Sequence, residues 1–164
     1  MSARCLLLLG GNVGDRLARL RGAVRGLSRL PGTRVLALSG VYETAPVGPS
    51  SRPYLNAAVL LETSLSPMGL LVECKRLESE AGRRPAGRWT SRPLDVDVLD
   101  YAGSPRRSPW LTLPHPRLGE RPFALAPLCD VAPRHRLPGG STAAARLARL
   151  AASSDEVRRF PYSL

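Results

Sequence analysis

The apolar run from Cys5 to Leu9 is closed by Gly10-Gly11-Asn12, the pattern of a buried strand that ends in a tight turn. Asp15 is placed to cap a helix, and Leu17, Leu20, Val24 and Leu27 then recur at helical spacing with arginines at 16, 19, 21 and 25 between them. Pro31-Gly32 stops that helix. Val35 to Tyr42 reads as a second strand and Tyr54 to Glu62 as a third, joined by a loop from Ala45 to Pro53 that is rich in proline and serine. Ser66 caps the next helix with Pro67 at its first position, and Leu71, Cys74 or Lys75, and Glu78 mark successive turns up to Gly82. Leu94 to Tyr101 supplies a fourth strand.

The order strand, helix, strand, strand, helix, strand predicts an α+β fold, a ferredoxin-like βαββαβ sandwich with its helices on one face of an antiparallel sheet. A proline-rich stretch follows, then a short apolar segment from Phe123 to Leu128 and a final helix from Ser141 to Ala152. These read as extra C-terminal strand and helix elements packed around the central unit. At 164 residues the chain is long enough for one well-filled core and too short for two ordinary ones, so residues 1–164 are expected to form a single domain.

Composition changes the picture little. The formal net charge of +11 suits nucleic acid, an acidic surface or an anionic small substrate, and does not choose among them. Nearly all of it is arginine, with Lys75 the only lysine, a bias that a GC-rich coding sequence produces without selection for function. Cys5, Cys74 and Cys129 are odd in number, widely spaced and without metal-ligand spacing, as expected of reduced thiols in a cytoplasmic protein. No apolar run is long enough to span a bilayer, and no membrane association is expected.

The chemistry concentrates in Leu94-Asp95-Val96-Asp97-Val98-Leu99. Two residues apart on a strand, Asp95 and Asp97 project from one face while Val96 and Val98 point to the other. Paired carboxylates repel unless a cation joins them, and magnesium takes one or two carboxylates together with substrate phosphates. An isolated Asp-Val-Asp is more simply the polar face of an edge strand. Here the arginine-rich segment from Gly82 to Pro93 feeds straight into it, and arginine's planar fork suits phosphate oxygens. Tyr54 and Asn56 share a face by the same period of two, fit to stack on and hydrogen-bond a flat heterocycle or simply to line an edge strand. Leu113-Pro114-His115-Pro116-Arg117 fixes a histidine between prolines, followed by Arg121-Pro122-Phe123; a phosphate contact and a structural histidine are both consistent with it.

Taken together, Gly10-Gly11-Asn12, Val41-Tyr42-Glu43-Thr44, Tyr54-Leu55-Asn56-Ala57-Ala58-Val59, the run Arg88-Trp89-Thr90-Ser91-Arg92-Pro93-Leu94-Asp95-Val96-Asp97, Leu113-Pro114-His115 and Arg121-Pro122-Phe123 resemble the 6-hydroxymethyl-7,8-dihydropterin pyrophosphokinases of folate biosynthesis, in the family's order. The resemblance implies transfer of pyrophosphate from ATP to the hydroxymethyl group of the dihydropterin, with AMP released and two magnesium ions (Mg2+) used. By the same matching Asp95 and Asp97 bridge both metals, and Arg83 or Arg84 and Arg92 stabilise charge on the phosphates. Glu78, Arg88, Trp89, Thr112, His115 and Arg121 face the nucleotide. Tyr54 and Phe123 sandwich the pterin, while Asn56 and the backbone from Thr44 through Ala45 to Val47 read its edge. Thr90, Gly11, Ala45, Trp110 and Pro116 depart from residues common in the family. The expected partners are small molecules, the expected state a monomer. An RNA-binding sheet would also account for the charge, yet such sheets cluster aromatics where this one sets carboxylates, and no nucleic acid is expected.

Overall fold

The computed structural model describes residues 1–45, 52–82, 92–151 and 157–164. Within them the chain order is β1 (Ala3–Gly11), α1 (Arg16–Ser28), β2 (Thr33–Leu38), β3 (Tyr42–Thr44), β4 (Tyr54–Thr63), α2 (Pro67–Glu80), β5 (Asp95–Tyr101), β6 (Arg106–Arg107), β7 (Thr112–Leu113), a 3-10 turn at Leu118–Glu120, α3 (Pro122–Val131), α4 (Ala143–Ala151) and β8 (Val157–Arg159).

Both early helices begin where the sequence places their caps. The Asp15 carboxylate accepts the Ala18 N–H at 3.0 Å, and Leu20, Ala23 and Leu27 form the buried stripe of α1. Ser66 Oγ accepts the Gly69 N–H at 3.1 Å, and α2 buries Leu70, Cys74, Leu77 and Glu78. A carboxylate in that stripe is unusual, because burying charge costs free energy unless partners compensate it.

The main sheet is antiparallel in the order β5-β1-β4-β3-β8, with β2 also paired to β4. Counting β2 and β3 as one interrupted strand, β1 through β5 reproduce the ferredoxin-like arrangement that the sequence predicts. The second strand does not run unbroken from Val35 to Tyr42. At Ser39 the side chain enters the ladder, its Oγ accepting the Ala58 N–H at 2.7 Å, and the Gly40 N–H turns instead to the Asp130 carboxylate at 2.9 Å. Gly40 lies close to the Arg159 guanidinium, 2.8 Å from where a Cβ would stand, so a side chain there would push that arginine aside.

The two helices of the βαββαβ unit, α1 and α2, share one face of the sheet as expected, and the extra C-terminal helices α3 and α4 cover the other. Alternation along β1 sends Cys5, Leu7 and Leu9 toward α1 and α2, and Leu6 and Leu8 toward α3 and α4. That is why β1 is an uninterrupted apolar run rather than an alternating one. Each fully buried leucine of the two clusters contributes about 1.5–3 kcal/mol relative to exposure. The segment Phe123 to Leu128 is helical, within α3, whose Pro122 occupies the first turn where a missing N–H costs nothing. No helix among the described residues is long and apolar enough to cross a membrane.

Candidate functional site

One rung of the sheet organises the candidate site. Gly10 on β1 stands opposite Asp95 on β5 and opposite Asn56 on β4, and Asn56 in turn faces Tyr42 on β3. Directly paired residues share a face, so a carboxylate and an amide flank a strip of bare backbone. The glycine is forced by that arrangement: a Cβ at position 10 would sit 2.8 Å from Asn56 Oδ1. One rung further in, Leu8 pairs with Asp97 and Ala58, which sets Asp97 beside Asp95. One rung further out, Tyr54 pairs with Thr44. Strand alternation therefore collects Asp95, Asp97, Asn56, Tyr54 and Thr44 on the α3 side of the sheet.

The amide is held from one side. Asn56 is buried and its Nδ2 donates to Thr44 Oγ1 at 3.4 Å, a long bond that joins β4 to β3 at the point where the chain leaves β3 through the exposed Ala45. Arg92 reaches Asp95, with Nη1 at 3.0 Å from Oδ1. Its position comes from Asn12, whose backbone N–H donates to the Arg92 carbonyl at 3.0 Å and whose Oδ1 accepts the Arg92 N–H at 2.8 Å. At 1% exposure Asn12 acts as one more rung between the end of β1 and the approach to β5. The sequence marks Asn12 only as the close of a turn; its buried pairing depends on a segment 80 positions away.

Charge is arranged unevenly between the two aspartates. Burial, then the neighbouring Asp95, pushes the Asp97 carboxyl above its ordinary value, with Glu78 adding to the push and Lys75 and Arg121 opposing it. Burial and then Asp95 also raise the Tyr54 phenol, with Arg92 opposing, which places that tyrosine within electrostatic reach of both. Glu78 is 2% exposed. Its Oε1 accepts the Val96 N–H at 2.8 Å, and Lys75 Nζ lies 3.1 Å from each carboxylate oxygen.

From α3 and its approach come the remaining side chains. The Arg121 guanidinium lies 5.6 Å from the Phe123 ring centroid, and its pKa is lowered by burial and by Arg117, with Asp97 and Glu120 opposing. Phe123 is half-buried against the α3 cluster. The backbone N–H of His115 donates to Leu99 on β5 at 2.8 Å, and its Nδ1 accepts the Arg117 N–H at 3.3 Å. Burial, Arg121 and Arg117 lower its pKa, so near neutral pH the ring is uncharged and carries its proton on Nε2. Thr112 is exposed on β7, and Trp110 beside it is 74% exposed. Val47, Arg83, Arg84, Arg88, Trp89 and Thr90 lie outside the described residues.

Two observations bound the chemistry. Among the described residues no three His, Cys, Asp or Glu side chains converge, so a cation on Asp95 and Asp97 would complete its shell with other oxygens, such as those of water or a ligand. This suits magnesium, which commonly binds through one or two carboxylates plus phosphates, and a cation there would offset the burial and repulsion at Asp97. The thiols of Cys5 and Cys74 are pushed up to about 12, chiefly by burial, and are unsuited to nucleophilic chemistry. A cleft of about 450 Å³ opens on the other face of the sheet, between α1 and α2, and holds none of the expected site residues.

Comparison with known proteins gives a consistent result. Residues 6–133 match the family described as 7,8-dihydro-6-hydroxymethylpterin-pyrophosphokinase (HPPK). The chain is 44% identical over 154 residues to a 2-amino-4-hydroxy-6-hydroxymethyldihydropteridine pyrophosphokinase of Methylorubrum extorquens, covering 93% of this chain and 97% of that one. It is 37% identical over 133 residues to the protein of that name from Haemophilus influenzae, covering 80% and 83%. In fold it is similar to wild-type HPPK-DHPS of Plasmodium falciparum, crystallised with pteroate, at TM-score 0.75 and 12% identity. That match covers 97% of this chain and 48% of the other, so the chain spans about half the length of that longer protein.

Proposed function

We infer how the site works from one premise: the chain belongs to the 7,8-dihydro-6-hydroxymethylpterin-pyrophosphokinase family, enzymes of folate biosynthesis that transfer pyrophosphate to a hydroxymethyldihydropterin. The observation that supports the residue-level reading is the rung Asp95–Gly10–Asn56, in which a carboxylate and an amide flank one bare glycine; the carboxylate is read as the phosphate side and the amide as the pterin side.

On the pterin side, Asn56 and the backbone from Thr44 through Ala45 to Val47 read the polar edge of the ring. Tyr54, at the start of β4, and Phe123, in the first turn of α3, take its flat faces. An amide with one donor spent on Thr44 still offers its carbonyl and its second N–H, the complement of an aminopyrimidinone edge. On the other side, Asp95 and Asp97 would hold two magnesium ions against the triphosphate of ATP. Bound there, the ions would draw charge from the phosphate oxygens and lower the barrier to displacement.

The remaining residues orient and neutralise. Arg92, set by Asn12 and aimed at Asp95, is placed for the transferring phosphates, and Arg83 or Arg84 joins it from the adjoining segment. Arg88, Trp89, Thr112, His115 and Arg121 face the nucleotide, with uncharged His115 donating from Nε2. The substrate hydroxyl attacks the β-phosphorus in line: its oxygen bonds to that phosphorus, the bond to the bridging α,β-oxygen breaks, AMP departs, and the hydroxyl proton passes to water.

Incubation with 6-hydroxymethyl-7,8-dihydropterin, ATP and magnesium should release one AMP per pterin diphosphate formed. ADP or free phosphate as the product would refute pyrophosphoryl transfer. Full turnover by an Asp97→Ala variant would refute the metal assignment while leaving the reaction intact.

A further inference from the structure

Glu78 is a buried carboxylate on a helix face that otherwise packs Leu70, Cys74 and Leu77. The family resemblance assigns it to the nucleotide, yet its carboxylate is engaged inside the protein. Oε1 takes the N–H of Val96, the residue between the two aspartates, and both oxygens lie 3.1 Å from Lys75 Nζ. Among the described residues β5 is the outer strand of the sheet, paired to β1 on one edge, so an N–H turned the other way meets no described strand. Without an acceptor from α2, that buried donor would be left unmatched, at a cost of about 1–3 kcal/mol. The half-exposed Lys75 meanwhile sets the chain's only lysine beside the buried Glu78 carboxylate.

We propose that Glu78 and Lys75 are positioning residues: Glu78 fixes the β5 backbone between Asp95 and Asp97 through the Val96 N–H, and Lys75 holds the Glu78 carboxylate in place by both oxygens. Side chains at positions 95 and 97 diverge from a strand whose pitch at Val96 is set from outside the sheet. A strand edge tethered at that one amide presents both carboxylates at a fixed separation, whereas an untethered edge strand frays from its outer side. The spacing Lys75-x-x-Glu78 puts the two side chains on neighbouring turns of one helical face, so the pair forms as soon as α2 forms.

The test is amide hydrogen exchange at Val96 in the ligand-free protein, combined with steady-state kinetics, for Glu78→Ala, Glu78→Gln and Lys75→Met. In Glu78→Ala, Val96 exchange accelerates and kcat falls about 10–100-fold, the range for groups that orient metal-binding side chains from behind. KM for the pterin stays near the wild-type value, because its contacts lie on β4 and α3. Glu78→Gln keeps an acceptor at Oε1 and retains both Val96 protection and most of kcat. Lys75→Met removes only a half-exposed side chain, so it folds; it speeds Val96 exchange and lowers kcat in the same direction. If Glu78→Ala does not fold, Lys75→Met and Glu78→Gln decide alone.

Wild-type exchange at Val96 in folded Glu78→Ala, or in Lys75→Met, overturns the proposal, as does a glutamine variant as impaired as the alanine one. The kinetic arm rests on Asp95 and Asp97 being the metal and triphosphate anchor. The two failures are separable: full turnover by Asp97→Ala sinks that reading, while Val96 exchange still decides whether Glu78 holds the strand.

Discussion

At His115 the protein spends free energy to keep an imidazole uncharged. Burial, Arg121 and Arg117 hold its folded pKa below the ordinary 6.5, so between that folded value and about 6.5 the unfolded chain binds more protons than the native one. Stability in that window rises with pH, is complete above it, and is lost as the pH falls from about 6.5 toward the folded value. A proton NMR titration should give a His115 midpoint below 6.5, and His115→Gln should flatten the fall in melting temperature between pH 7 and pH 5. A midpoint at or above 6.5 would show that the two arginines do not bear on the ring. The same balance lets two arginines and a neutral histidine sit so closely, because an imidazolium there would add a third like charge beside Arg117 and Arg121. Asn12 shows the opposite economy at this scale, a buried residue whose backbone N–H and side-chain oxygen both pair with the backbone of Arg92.

Among the secondary-structure elements, the bare Gly10 rung is sensitive to any added side chain. Gly10→Ala forces a Cβ against Asn56 Oδ1, and overpacking of this kind costs about 1–3 kcal/mol. Chemical denaturation should record that loss, and KM for the pterin should rise more than KM for ATP, because Asn56 is the group displaced. Equal effects on the two KM values would detach Asn56 from the pterin. The strands and helices that sequence alone locates are those with long uniform signals. β1 is a continuous apolar run and β4 a mostly apolar one broken by Asn56, and α1 and α2 carry side-chain caps that are bonded in the structure. The break in the second strand escapes the pattern because Ser39 takes over a backbone role in the ladder. α3 escapes because Pro122 and Pro127 look like loop residues, although the first needs no partner at a helix start. β8 has three residues, two of them exposed arginines, and carries no period at all. For the site, spacing by two reveals the carboxylate pair and the Tyr54–Asn56 face, but only the register of β1 shows that both flank Gly10. Glu78 reads as one more polar turn of α2 until its hydrogen bond to Val96 is seen.

For the molecule as a whole, a layer of helix on each face of the sheet is what closes the site. α3 is fastened to the sheet by Asp130, whose carboxylate accepts the Tyr42 hydroxyl at 3.0 Å on both oxygens and the Gly40 N–H at 2.9 Å. Tyr42 belongs to the Gly10 rung, so the layer that carries Phe123 and the rung that carries Asn56 and Asp95 are tied at one carboxylate. Asp130 is exposed, so Asp130→Ala should cost only about 0.5–1 kcal/mol, with a slightly lowered urea midpoint and an unchanged slope. A changed slope would mean that α3 comes away separately from the sheet.

The raised Asp97 carboxyl carries a last consequence. A group that burial and a like-charged neighbour both disfavour as an anion costs the fold stability when ionised, and a cation bound with ATP would lift that cost. Nucleotide supply would then govern endurance as well as output: molecules idling in an energy-starved cell would open more often, and meet proteases sooner, than molecules at work.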